Sequence, residues 1–200
     1  MENTYNVLGI GNAIVDVLTH VDDDFLEKQN LDKGGMMLVS DKEAAAIYDN
    51  LGQGIECSGG SAANTIAGLA AMGSKTSFIG KIKDDQIGRV FQHDIRAQGA
   101  NFATPVLVDG PPTAHCLVLV TPDAERTMCT YLGACVELSE NDINEETVSN
   151  SSVTYLEGYL WDPDAAKNAF RKAIKIAHDA GNKVALSLSD SFCVDRHHQE

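Results

Sequence analysis

The sequence predicts an α/β fold, a layered and mostly parallel sheet flanked by helices. Three observations carry that prediction. Short apolar runs ending at a glycine or a polar residue recur at 5–10, 76–82, 153–156 and 183–188, the pattern of buried strands. Between them lie amphipathic segments with helix start and stop signals, and such alternation threads a parallel sheet. From Phe102 to Leu132 the pattern changes to successive extended segments joined by turn clusters, a β-rich stretch.

Taken in order, the first apolar run ends at Ile10, and Asn12 and Asp16 follow where the chain leaves the sheet. Open α/β sheets bind ligands outside the carboxyl ends of their strands. A carboxylate accepts two hydrogen bonds from a vicinal diol, so Asp16 suits the reading of a sugar; a turn asparagine and a solvated aspartate are the alternative. Val15 to Val21 alternates as an exposed strand. Asp22-Asp23-Asp24 then opens an acidic helix through Gln29, a solvated start favoured by the helix dipole rather than a metal site. Lys33-Gly34-Gly35 is a turn and Met36 to Val39 a second strand. Ser40 and Glu43 have capping-box spacing, and their helix runs through Ala44, Ile47, Tyr48 and Leu51 to Gly52.

Cys57-Ser58-Gly59-Gly60-Ser61-Ala62-Ala63-Asn64-Thr65 is the most informative stretch. It predicts a sharply bent loop feeding a closely packed helix, with Ser61 as the N-cap. Gly59 and Gly60 let a ligand approach the backbone, the helix end offers unpaired N–H groups, and Asn64 both donates and accepts. A structural turn before a core helix explains the same residues.

Further on, Asp84 to Gln98 is amphipathic, with Ile87, Val90, Phe91 and Ile95 inward and Gly99 as its stop. Val106-Leu107-Val108, Thr113 to Thr121 and Arg126 to Leu132 are extended, and a short helix falls within 139–149. Glu157 ends the next strand, where a carboxylate either contacts a ligand or supports a residue that does. Asp162-Pro163 reads as an N-cap followed by proline at the first helical position, opening a helix that runs to Ala180. Asp190 follows the last strand, again at the ligand-binding edge. His197 and His198 are adjacent, point apart, and have no third ligand at a matching spacing.

Two hundred residues support a substantial core, and 44% hydrophobic with 22% charged residues describes an ordinary globular chain. A net charge of −14 without a basic run argues against nucleic acid as a partner. No apolar run has membrane-spanning length, which argues against a membrane partner. The five cysteines form no CxxC pair, and without a signal-like N-terminus reduced thiols in a cytoplasm are the simplest account.

The ordered set Gly9-Ile10-Gly11-Asn12-Ala13-Ile14-Val15-Asp16, then Gly59-Gly60 with Asn64, then Gly73, Phe78-Ile79-Gly80-Lys81-Ile82 and Asp84-Asp85-Gln86-Ile87-Gly88 resembles the PfkB/ribokinase family of sugar and nucleoside kinases. The resemblance runs through nearly the whole chain. It implies a ribokinase-like layered sheet with a small β lid, whose segments lie near 14–40 and 103–132. It implies ATP and Mg2+ as cofactors and a small-molecule nucleoside or sugar as the partner. Asn12, Asp16, Gly59, Gly60, Ser61 and Asn64 would then hold sugar hydroxyls, and Gly35, Met36 and Leu38 would face the ligand from the lid. From Cys116 through Arg126-Thr127-Met128-Cys129-Thr130-Tyr131-Leu132 the match is closer to the adenosine kinases. There Cys116, Met128, Thr130 and Leu132 would line a slot for a base or sugar ring, and Arg126 would meet phosphates; a surface arginine in a turn is the alternative.

The resemblance favours adenosine as acceptor, with a fructokinase- or ribokinase-type sugar next and a catalytically silent sugar- or nucleotide-binding relative as the other class. The family's Gly-Ala-Gly-Asp segment, source of the catalytic base and an anion hole, has no counterpart here, and neither has its Asn-x-x-Glu segment. The expectation is an N-terminal part holding the sugar half of the site and the lid. The base would lie beyond Glu200, and these residues alone would be inactive. Whether such lids pair between subunits is left open.

Overall fold

The computed structural model describes residues 3–200. In chain order it contains β1 (Tyr5–Ile10), β2 (Ile14–His20), α1 (Asp23–Lys28), β3 (Met36–Leu38), α2 (Asp41–Tyr48), β4 (Ile55–Gly59), α3 (Ser61–Ala71), β5 (Thr76–Ile79) and α4 (Gln86–Ala97). There follow β6 (Asn101–Phe102), β7 (Ala114–Val120), β8 (Arg126–Tyr131), α5 (Glu145–Ser149), β9 (Ser151–Glu157), α6 (Asp164–Asp179), β10 (Lys183–Ser187) and α7 (Ser191–His197). Short 3-10 turns occupy Gly133–Glu137, Glu140–Asp142 and Gly158–Trp161.

The α/β layering is as the sequence predicts. One five-stranded sheet, in the order β10-β9-β1-β5-β6, is parallel throughout. On one face Leu8, Ile10 and Leu156 pack against Phe170 and the alanines of α6. On the other, Ile66 of α3 and Phe91 and Ile95 of α4 meet Phe78 and Phe102, with ring centroids 5.8 Å apart for Phe78–Phe91 and 5.5 Å for Phe91–Phe102. The chain builds outward from β1 to β5 and β6 on one side, then returns to β9 and β10 on the other. That reversal leaves a crevice beyond the carboxyl ends of β1 and β9.

A second sheet, in the order β3-β8-β7-β2-β4, mixes parallel pairs (β2 with β7, β3 with β8) and antiparallel ones (β2 with β4, β7 with β8). Period-two alternation divides its faces. Val17, Leu117, Leu119, Cys129 and Met37 pack with Leu26 of α1 and Ile47 of α2, so one face is covered. The other stays open, with Leu18 37%, Met36 45% and Leu38 59% exposed.

Several boundaries differ from the sequence reading for identifiable reasons. Ile55–Gly59 is a strand rather than part of a loop, because its edge position in the second sheet tolerates small and glycine residues that lack an apolar alternation. Gly60, at φ +96°, is the N-cap of α3, and Ser61 is the first helical residue. Pro163, not Asp162, is the N-cap of α6. The strand starting at Thr76 stops at Ile79, since Gly80 to Lys83 turn toward α4. The stretch around Val106–Val108 contributes one isolated bridge, Leu107 to Lys83, where proline and glycine interrupt pairing. The capping box is present, Ser40 Oγ accepting from the Glu43 N–H while the Glu43 carboxylate accepts from the Ser40 N–H.

Candidate functional site

At the crevice, Glu157 closes β9 with its side chain buried. One carboxylate oxygen accepts from the Asn12 N–H at 2.7 Å; the other accepts from the Ala62 N–H at 2.9 Å and from the Ser61 hydroxyl. One acidic group thus ties the end of β1 to the start of α3 and satisfies the Ala62 N–H, which no capping side chain reaches. Close approach is built in around it. A Cβ at Gly11 would stand 2.9 Å from the Glu157 carboxylate, and one at Gly60 would stand 2.5 Å from the Asn12 carbonyl.

Strand register gathers the next set. Asp16 on β2 stands opposite Cys57 on β4 and Cys116 on β7; Cys116 stands opposite Thr130 on β8, and Thr130 opposite Leu38 on β3. Registered neighbours share a face, so these five form one row across the open side of the sheet. Two residues along, Ile55, Leu18, Val118, Met128 and Met36 make a second, wholly apolar row. Arg126, opposite Val120, lies a further step along the same face and is exposed.

Within the first row, the Asp16 carboxylate packs against bare backbone: a Cβ at Gly59 would stand 2.3 Å from its Oδ2. Burial pushes the Asp16 carboxyl from 3.8 up to about 6, with the Arg126 charge pulling the other way. Beside it burial pushes the Cys116 thiol up to about 12, and Cys116 Sγ accepts from the Thr130 hydroxyl at 3.2 Å. Cys116 is therefore a neutral wall, not a nucleophile.

A cavity of about 510 Å³ opens beside the end of this row, lined by Leu38, Pro111, Thr130, Leu132 and Val136 among others. Register does not carry Leu132 into the row; it enters the neighbourhood through this cavity. Gly35 lies just before β3, its carbonyl accepting from the Met128 N–H at 2.9 Å. Asn64 is exposed on the first turn of α3. Sequence reasoning gave no role to Cys57, Leu18, Ile55 or Val118. The alternation from Asp16 to Leu18 is the signal for one of them, while the others needed the pairing of β4 and β7 with β2. Among the described residues, no three His, Cys, Asp or Glu side chains gather where a metal ion would be held, and no helix is long and apolar enough to cross a membrane.

Comparison with known proteins agrees with this architecture. The chain superimposes on adenosine kinase from Sinorhizobium meliloti with a TM-score of 0.91 and 52% identity, over 98% of this chain and 60% of that one. A probable sugar kinase from Rhizobium etli matches with a TM-score of 0.91 and 46% identity, over 98% and 59%. The guanosine-inosine kinase of Escherichia coli is 26% identical over 199 residues, 94% of this chain and 46% of that protein. The chain thus spans about half the length of the curated relatives it matches. The model of the pfkB family of carbohydrate kinases matches residues 39–198, from the end of β3 through α7 and so across both sheets, and the chain belongs to that family.

Proposed function

We propose that the complete protein transfers a phosphoryl group from ATP, with Mg2+, to the primary hydroxyl of a nucleoside, adenosine before others. The observation that carries the proposal is the Asp16 row. A carboxylate partly desolvated against Gly59, for which the described residues supply no hydrogen-bond donor, is matched to a pair of sugar hydroxyls. Cys116, Thr130 and Leu38 continue from it to a cavity with an apolar lining, suited to a purine face. The 52% identity to an adenosine kinase supports the same substrate.

In this mechanism Asp16, Asn12 and Asn64 hold the ribose, while Gly59 and Gly60 let it approach the backbone. Glu157 and Ser61 keep the end of β1 and the start of α3 in place around it, which orients the hydroxyl for in-line attack. Met36, Leu38 and Met128 on the open face exclude water, a competing acceptor, when the second sheet folds over the ligand. Arg126 is free to meet phosphate oxygens from the same face. Mg2+ would be held largely by the ATP phosphates, since among the described residues no three His, Cys, Asp or Glu side chains gather. The proposal assigns the catalytic base and the ATP-binding donors to chain outside these residues, in keeping with the greater length of the relatives.

A sugar acceptor is the second reading, favoured by the 46% identity to a probable sugar kinase. ADP release by the full-length protein with magnesium-ATP, comparing adenosine, ribose and fructose, decides between them. Adenosine is expected to give the highest kcat/KM. Preference for a free sugar would keep the Asp16 assignment and remove the base from the cavity. Turnover with none of the three would overturn the kinase proposal for these acceptors.

A further inference from the structure

We propose that Asp85 and Asp94, two carboxylates of α4, mount the second sheet on the core and hold the strands on either side of Asp16; the part concerning substrate rests on the kinase reading above. β2, which carries Asp16, lies between β7 and β4. On the β7 side, Asp85 accepts from the Thr113 N–H at 2.9 Å and from the Thr113 hydroxyl at 2.8 Å, immediately before β7 begins. On the β4 side, Asp94 accepts from the Ser58 N–H at 3.0 Å. Both grips, at Thr113 and at Ser58, fall beside the residues paired with Ile14, Ala114 and Gly59, where β2 begins.

The dimensions agree. Nine helical positions separate the two carboxylates, roughly 13 Å at 1.5 Å per residue. β7 and β4 lie two strand spacings apart, roughly 9.5 Å. A single helix therefore reaches both flanking strands without either side chain stretching. The packing leaves little slack near Asp85: a Cβ at Gly88 would stand 2.1 Å from the Lys83 carbonyl and 2.8 Å from the Thr113 hydroxyl. β4 is an edge strand, so without Asp94 its outward Ser58 N–H would face water and its hold on the sheet would rest on β2 alone. Gly59, against which the Asp16 carboxylate is packed, is the next residue.

Asp85 also caps α4 through the Gly88 N–H at 2.7 Å, so Asp94 gives the cleaner test. D94A in the full-length protein is expected to speed amide hydrogen exchange across residues 55–59 about tenfold and to raise the KM for adenosine about tenfold, with kcat within about twofold. D94N keeps an oxygen acceptor for the Ser58 N–H and is expected to rescue both. Unchanged exchange at 55–59 in D94A overturns the mount whatever turnover does. Faster exchange with unchanged KM overturns its role in holding Asp16. If the unsubstituted protein turns over no nucleoside, the kinase reading has failed, and the exchange measurement, which needs no substrate, still decides the mount.

Discussion

Asp16 shows how a single side chain is set apart by its surroundings. Packed against Gly59 and withdrawn from water, its carboxyl titrates at about 6 in place of 3.8. The folded protein therefore holds this proton more tightly than the unfolded chain. The cost of the charge grows as pH rises from about 4 to 6 and is constant above. Asp16→Asn removes a charge but keeps the shape. Allowing for partial exposure, it is expected to stabilise the protein by about 1–2 kcal/mol at pH 7.5, with the gain vanishing below about pH 4. Thermal unfolding at the two pH values measures this. The same variant should weaken nucleoside binding, and binding by the unsubstituted protein should strengthen as pH rises through about 6, when the carboxylate forms. A residue that gains stability when replaced while losing affinity is one retained for its ligand.

At the scale of elements, α3 is the one whose start matters most. Its N-cap has no side chain, the Ala62 N–H of its first turn is met by Glu157 from another strand, and its entry requires the positive φ of Gly60. Two alanine substitutions separate conformation from packing in this helix. Gly60→Ala would strain a φ of +96° and press a Cβ to 2.5 Å from the Asn12 carbonyl, at a cost of about 2–3 kcal/mol. Gly68→Ala, within the same helix with nothing inside 4 Å of the new Cβ, should instead gain about 0.5–1 kcal/mol. Denaturant midpoints of the two variants check both signs. In the second sheet the decisive unit is the row, since β2 alone carries Asp16 and its neighbours arrive from four other strands.

For the molecule as a whole, the two sheets do different work. The parallel one packs α6 on one face and α3 and α4 on the other, with β10 left partly exposed, while the mixed one is covered on one face only. Its open face and the crevice at β1 and β9 together make the proposed site, so a bound nucleoside would touch both sheets and tie them together. Adenosine at about 100 times its Kd is expected to add about 2.7 kcal/mol to the stability of the full-length protein, read as a rise in Tm. No rise in Tm at millimolar adenosine would count against the proposed substrate. β10 forms one edge of the parallel sheet, and Leu186, Leu188 and Phe192 near it are 52%, 65% and 72% exposed.

The local physics of the sequence was enough for the layered α/β class, because short apolar runs and helices of period 3.6 repeat within short windows. The capping box at Ser40 and Glu43 and the inward face of α4 were legible for the same reason, each resting on residues a turn or two apart. Gly59 and Gly60 were legible as a place of close approach, but not what approaches them. That needed the Asp16 carboxylate and the Asn12 carbonyl, which come from other strands. Glu157 was legible as a strand-end carboxylate; its three donors lie 95 residues or more away in sequence. The size of the second sheet, the row from Cys57 to Leu38 and the two grips of α4 depend on strand register. Register is a relation between distant segments, settled by which faces can be buried together, and only the tertiary structure decides it.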